Sequence, residues 1–382
     1  MRLKTPLCEF FQIEYPIVLA GMGGLVSPSG PELTAAVSEA GGLGVLGGAF
    51  VPPDELALQI TQVRALTSKP FGVDTLIPFS VTQDALDNPI KLSMELPAEH
   101  RAFMERFVAD QGLGDLPEAE IPIFDPAFIK GQLDVILDLD VPVFVAGLGD
   151  PGYVVRNRGA RSMKIGSVVG ATRHARKAVA AGADFVVAQG HDGGGHNSSV
   201  GTMALVPQVV DAVDPSIPVL AAGSIMDGRQ VVASLALGAQ GVWCGSAFLA
   251  TYEAALTEGQ KQALVSHSET DTTVSPAWTG KPARLLKNVW TDAFAASGLP
   301  VLPMHQQLTM VDRVMKAAET ENRVDINPGA AGQGVGMIRE IRPAADVFED
   351  LVSGTLRVLE QLTTEHQDRS ALDRSALDRN AG

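Results

Sequence analysis

The fold this sequence predicts is α/β, a closed (β/α)8 or TIM barrel carrying a helical cap subdomain, and three observations predict it. Eight apolar, β-branched runs end in glycine or a small polar residue, helix-like stretches alternate with them, and each run is hydrophobic throughout instead of at every second residue. Strands apolar on both faces must be covered on both, as in a parallel sheet, and eight such units close into a barrel more naturally than they splay.

In chain order the runs are PIVLAG from Pro16, LGVLGG from Leu43, FGVDTLI from Phe71, VPVFVAG from Val141, MKIGSVV from Met163, DFVVAQG from Asp184, IPVLAAG from Ile217 and GVWCGS from Gly241. Helix signals stand between them. Ser29 with Glu32 reads as a capping box before LTAAVSEA and Gly41, Thr172 opens RHARKAVAA before Gly182, and Asp227 opens GRQVVASLAL before Gly238. Two regions break the rhythm. Residues 81–140 are too long for one helix and read as a rim insertion, with a helix in LPAEHRAFMERFVADQ and a proline-punctuated loop after it. Its Phe103 and Phe107 stripe has the spacing of a buried face. Residues 251–330 carry several helical patterns and no convincing strand, so they read as the helical cap. The barrel then comprises 1–250 and 331–364, with an amphipathic helix around AADVFEDLVSGTLRVLEQL in its outer ring, and the RSALDRSALDR repeat marks 365–382 as a mobile tail.

Composition sets limits on function. With 382 residues, 46% hydrophobic and 39 glycines, the chain can bury one large core and an appended subdomain. A net charge of -15 disfavours nucleic acid and anionic membrane as partners, which leaves a small-molecule substrate and a second copy of the chain. The first residues, MRLKTPLCEFF, lack a signal-peptide core and no apolar run approaches the ~18 residues of a membrane span, so a cytoplasmic protein is expected. Cys8 and Cys244 lie far apart in unlike surroundings and read as reduced, packed thiols.

The chemistry concentrates in AQGHDGGGHNSS, residues 188–199, where a strand ends in a glycine-rich loop. Gly193, Gly194 and Gly195 let a flat ligand or an anion approach bare backbone amides. His196 then supplies proton chemistry at a strand end. His191 lies five residues away on a glycine-rich loop with no clear third ligand, so it reads as a loop residue and no metal is expected. Gly223 with Ser224, and Gly245 with Ser246, close the seventh and eighth strands in the same way, as phosphate-binding loops do.

These segments resemble the FMN-dependent nitronate monooxygenase (2-nitropropane dioxygenase) family over nearly the whole chain. PIVLAGMGG, EAGGLGVLGG, KPFGVD, AQGHDGGGH, PVLAAGSIMDGR, GVWCGSAFLAT, GKPARLLKN and AGQGVGMI stand in the family's order. The resemblance implies FMN, its phosphate on Gly223, Ser224, Gly245 and Ser246, and its ring system against Gly21 and Met22. It implies further flavin contacts at Asp74, Gln189, Gly194, Gly195, Gln333 and Gly334, and His196 as the catalytic residue. The implied activity is oxidation of alkyl nitronates with O2. The alternative it implies is a reductase of a quinone, enone or acyl-CoA thioester with NAD(P)H as co-substrate, and a flavin-binding or flavin-free scaffold is the non-enzymatic option. Five positions depart from the family pattern: Leu19 and Gly21 in LAGM where nitronate-oxidising members commonly have Gln-Ala-Pro-Met, Asp74 for Asn, Asp192 for Glu, and an apolar residue near Val168 for a lysine.

Overall fold

The computed structural model describes residues 3–25, 27–77, 82–87, 92–117 and 125–379. Its strands are β1 (Ile17–Leu19), β2 (Gly44–Gly47), β3 (Phe71–Leu76), β4 (Val143–Leu148), β5 (Lys164–Val169), β6 (Phe185–Gln189), β7 (Gly195–His196), β8 (Val219–Ala222), β9 (Gly241–Cys244), β10 (Thr272–Ser275) and β11 (Ala283–Leu286). All eight runs read from the sequence form strands. They make one parallel sheet in the order β1-β9-β8-β6-β5-β4-β3-β2, and a parallel bridge from Val18 to Leu43 joins its two edges into a barrel.

The barrel interior is filled by branched and aromatic side chains, among them Val18, Val45, Val145, Val187, Leu220 and Trp243. Each such side chain stabilises the fold by about 1.5–3 kcal/mol when fully buried. Leu7 and Phe11 of the helix Pro6–Phe11 join this cluster, and the Phe11 ring stands edge-on to Phe185 at 4.9 Å. Because Phe185 opens β6, the N-terminal helix plugs the end of the barrel where the strands begin. The opposite end is left for a site.

The outer layer follows its local signals with two exceptions. Asp227 caps Gly228–Ala236 with a full capping box through Gln230, a device that contributes about 1 kcal/mol. Ser29 does not cap: Gly30 holds that position before Pro31–Glu39, and the Ser29 hydroxyl instead accepts the Met22 amide at 2.6 Å. Thr172 is the first residue of its helix, and Ala171 in the cap position offers no side chain bond. The last helix, Ala344–Arg379, lies across Gly228–Ala236 so closely that a Cβ on Gly228 would fall on the Gly354 backbone. It continues past residue 364, where the sequence pattern ended it, through Arg379; residues 380–382 of the tail lie outside the described residues.

The segment 251–330 is not purely helical. Besides the helices Glu258–Ser266, Val289–Ser297 and Met304–Thr320 it contains the antiparallel pair β10 and β11. Its core gathers Trp290, Phe294, Met310 and Val314, and the helix Ala98–Gln111 of the 81–140 insertion contributes Phe103 and Phe107 to it. The Phe107 and Trp290 rings meet edge to face at 5.0 Å. That helix is therefore packed into the 251–330 core. Of the proline-punctuated loop after it, residues 118–124 lie outside the described residues. Among the described residues no helix is long and apolar enough to cross a membrane.

Candidate active site

A cavity opens at the C-terminal ends of the barrel strands, where side chains and loops from different strands converge. Eleven of the residues given a binding or catalytic role from the sequence line it: Gly21 and Met22 after β1, Gln189 at the end of β6, Gly193, Gly194, Gly195 and His196 beyond it, Gly223 and Ser224 after β8, and Gly245 and Ser246 after β9. Asp74, Gln333 and Gly334 do not. Gln333 and Gly334 stand behind the wall and brace it, and Asp74 is buried beneath it.

The β8 and β9 side is held by a net of side chain to backbone bonds. Ser224 donates its hydroxyl proton to the Asp192 carbonyl at 2.6 Å and accepts the Gly334 amide at 2.8 Å. The Asp192 carbonyl also accepts the Gln333 amide at 2.9 Å, while the Asp192 carboxylate accepts the Thr202 amide at 2.8 Å. Ser246 accepts the Gly332 amide at 2.8 Å. The two serines thus differ. Ser224, expected to offer its hydroxyl to a phosphate, has spent its proton inside the protein, whereas no acceptor takes the Ser246 proton among the described residues. Ser224 also sits at φ 54, a left-handed conformation unfavourable for a side chain, and Gln230 holds its carbonyl at 2.8 Å. The hub at Asp192 was visible in the sequence only as a departure from the family pattern.

His196 is positioned from two directions. It lies on β7, which pairs antiparallel with β11 so that His196 faces Ala283 and Gly195 faces Arg284. Its Nε2 lies 2.8 Å from the Thr279 hydroxyl, and its carbonyl accepts the Gln189 amide group at 2.8 Å. Burial, aided by the charge of Lys281, pushes its pKa down to about 4, so the imidazole is neutral at pH 7. His191 points its Nδ1 at the Ser198 carbonyl, 2.6 Å away, and its own carbonyl takes the Arg284 guanidinium at 3.0 and 3.2 Å. It is a loop brace. Trp278 and Thr279, which no motif marked, also line the cavity, together with Ala283 and Leu285 of the GKPARLLKN segment: they reach the site through pairing between segments more than eighty residues apart in sequence.

The remaining wall is apolar and close-packed. Leu76, Val168 and Trp243 line it beside Met22, and Cys244 behind it is buried, its thiol pushed up to about 12, which makes it packing and not a nucleophile. Gly21 and Gly147 line the cavity with Asp74 directly beneath, since a Cβ on either would fall on that side chain. Burial raises the Asp74 pKa well above its ordinary value, against a smaller opposing effect of the Gly147 amide.

The wall suits a flavin. Among the described residues no acidic side chain lines the cavity, and no lysine or arginine does either, so an anion would be held by amides and hydroxyls. Gly195 and Gly329 face open space where a side chain would stand, which leaves room for a flat ring system.

A model of the nitronate monooxygenase family matches residues 4–354. A Staphylococcus aureus protein named "Probable nitronate monooxygenase" is 33% identical over 376 residues, covering 94% of this chain and 99% of that one. Among solved structures, nitroalkane oxidase from Streptomyces ansochromogenes is 32% identical with a TM-score of 0.77, covering 93% of this chain and 99% of that one. FabK from Thermotoga maritima is 30% identical with a TM-score of 0.69, over 95% of this chain and 99% of that one. The strand-end cavity, the neutral histidine and these matches over the length of the chain agree: the protein belongs to the nitronate monooxygenase family and is a flavin-dependent oxidoreductase.

Proposed function

We propose that the protein holds one FMN in this cavity and oxidises alkyl nitronates with O2. The observation that carries the reading is the neutral His196 in a wall with no carboxylate among the described residues. A base whose pKa lies near 4 is a poor acceptor for a carbon-bound proton at pH 7, but a nitronate has already lost that proton and needs only a hydrogen bond to its oxygens. The Thr279 hydroxyl has one proton and two acceptors in reach, Nε2 at 2.8 Å and the Lys281 carbonyl at 3.4 Å; when it serves Nε2, the shorter contact, the imidazole proton sits on Nδ1, which has no protein partner among the described residues and is free to donate to such an anion. Leu256, Leu264, Trp278 and Leu285 would take the alkyl part. In this reading 251–330 acts as the cap that excludes water.

Bound flavin supplies the electron acceptor, and the chain binds, orients and shields. The amides following β8 and β9, with the Ser246 hydroxyl, would hold its phosphate, while Gly21, Met22 and Gln189 would border its ring. Two short loops suit a monophosphate, so cofactor released by denaturation should run as FMN in chromatography, not as FAD.

The second reading is NAD(P)H-dependent reduction of a quinone, enone or acyl-CoA thioester, and the departure that bears on it is Gly21, where nitronate-oxidising members commonly have proline. Packing now accounts for that glycine, because Asp74 fills the space a larger residue would need. Anaerobic titration separates the two: an alkyl nitronate should bleach the flavin absorbance while NADH and NADPH leave it. Bleaching by a reduced nicotinamide alone would transfer the assignment to the reductase.

A further inference from the structure

Asp74 is the element of the wall that this chemistry leaves unused. It stands on β3 opposite Gly47 and Val145, alternates with the outward-packed Val73, and is 5% exposed. Its carboxyl group occupies the space a Cβ on Gly147 would need, and its Cβ that of one on Gly21. Both glycines line the cavity, so the acid lies one backbone layer from any ligand there. Among the described residues no cation pairs with it, and no charged group of β2, β4 or the Gly21 turn adds to burial and the Gly147 amide as an influence on it.

We propose that Asp74 is an uncharged acid at neutral pH, placed beside the flavin so that the cavity can take on negative charge without repulsion. The proposal rests on a flavin occupying the cavity. An ionised carboxylate one backbone layer away in a low-dielectric interior would oppose both an anionic substrate and a reduced, anionic flavin, and a protonated one does not. The coupling is reciprocal: negative charge in the cavity holds the Asp74 proton more tightly. Asp74 is thus a positioning residue for charge, acting on the cofactor through the backbone between them.

Asp74→Asn is the neutral mimic. In flavin-free protein at pH 7, the infrared difference between wild type and Asp74→Asn should contain the C=O stretch of a protonated acid, and titrating wild type alone should lose that band as pH rises. The flavin midpoint potential should be the same in both proteins at pH 6 and should fall further with pH in wild type once Asp74 ionises. A folded pKa raised above the unfolded value gives stability that is complete below that unfolded value and lost as pH rises through the folded one. The wild-type unfolding constant should therefore rise up to about tenfold per pH unit more than that of Asp74→Asn across the window. Absence of the protonated band at pH 7, or a gap in potential that is equal at every pH, overturns the proposal. Failure to bind any flavin would count against the cofactor assignment instead, with the infrared result still deciding the charge of Asp74.

Discussion

The two sides of the cavity are made rigid by different means. On the β8 and β9 side, Ser224, Ser246, Asp192 and Gln230 tie loops together with hydrogen bonds to backbone. On the β1, β3 and β4 side there are bare glycines pressed onto one buried acid. The first construction leaves amides fixed and pointing at a ligand, as an anion requires. The second leaves a smooth face, as a ring system requires. Damage to the first side should therefore be read in cofactor affinity, and damage to the second in folding.

The largest test of this contrast is Gly245→Asp. A Cβ there meets the Met22 sulfur at 3.2 Å and the Ala20 Cβ at 3.3 Å, contacts relieved by a shift of a few tenths of an ångström, so the variant should fold. Two unit charges about 4 Å apart repel by roughly 4 kcal/mol at an effective dielectric of about 20, which is about a thousandfold in flavin affinity. Fluorescence titration of the flavin-free protein reads this directly, and an affinity within tenfold of wild type would remove phosphate from the β9 loop.

Next in size is His196→Asn, which should stay folded and flavin-loaded while turnover falls about 10²-fold. Because a pKa near 4 makes the imidazole a poor base, turnover of the nitronate and of the parent nitroalkane should fall equally; a loss confined to the nitroalkane would make His196 a base after all, and no loss on either substrate would make it structural. The same residue predicts an acid limit. Its folded pKa of about 4 lies below the unfolded value near 6.5, so its contribution to stability is complete above pH 6.5 and is lost as pH falls toward 4. The slope is at most about 1.4 kcal/mol per pH unit, and His196→Asn should flatten it in denaturant titrations between pH 4.5 and 7.

Gly147→Ala and Ser224→Ala sharpen the comparison at similar cost. The first overpacks Asp74 and should lose about 1–3 kcal/mol of stability, seen as a lower Tm. The second strands the Gly334 amide, leaves the Asp192 carbonyl with the Gln333 amide alone, and should weaken flavin binding about tenfold at a smaller cost in Tm. If the two variants change the same quantity in the same proportion, the contrast between the sides is wrong. The smallest effect is expected at Asp227→Ala, about 1 kcal/mol from the lost cap, without change in turnover.

The sequence disclosed what short-range physics controls. Every barrel strand could be found because buried parallel strands are continuous apolar runs, and the residues after β1, β6, β8 and β9 could be placed because glycine marks where backbone meets ligand. Ser29 was misassigned because Gly30 and Pro31 start the helix one residue later, and its hydroxyl serves Met22 across the turn. β10 and β11 escaped because TTVS and ARLL are short, and β11 gains its partner from a two-residue strand inside a glycine run. Thr279 carries no local mark at all, since its role exists only after residues 196 and 279 have been brought together.

The pairing of β7 with β11 also decides how this molecule can be recombined. A chimaera that exchanges residues 251–330 with those of a relative would appear to swap specificity and keep the barrel's chemistry intact. It would in fact replace the strand edge on which His196 is laid and the hydroxyl beside its Nε2. The heritable module here is discontinuous: 195–196 and 279–286 travel together, and a crossover between them separates a histidine from its tautomer.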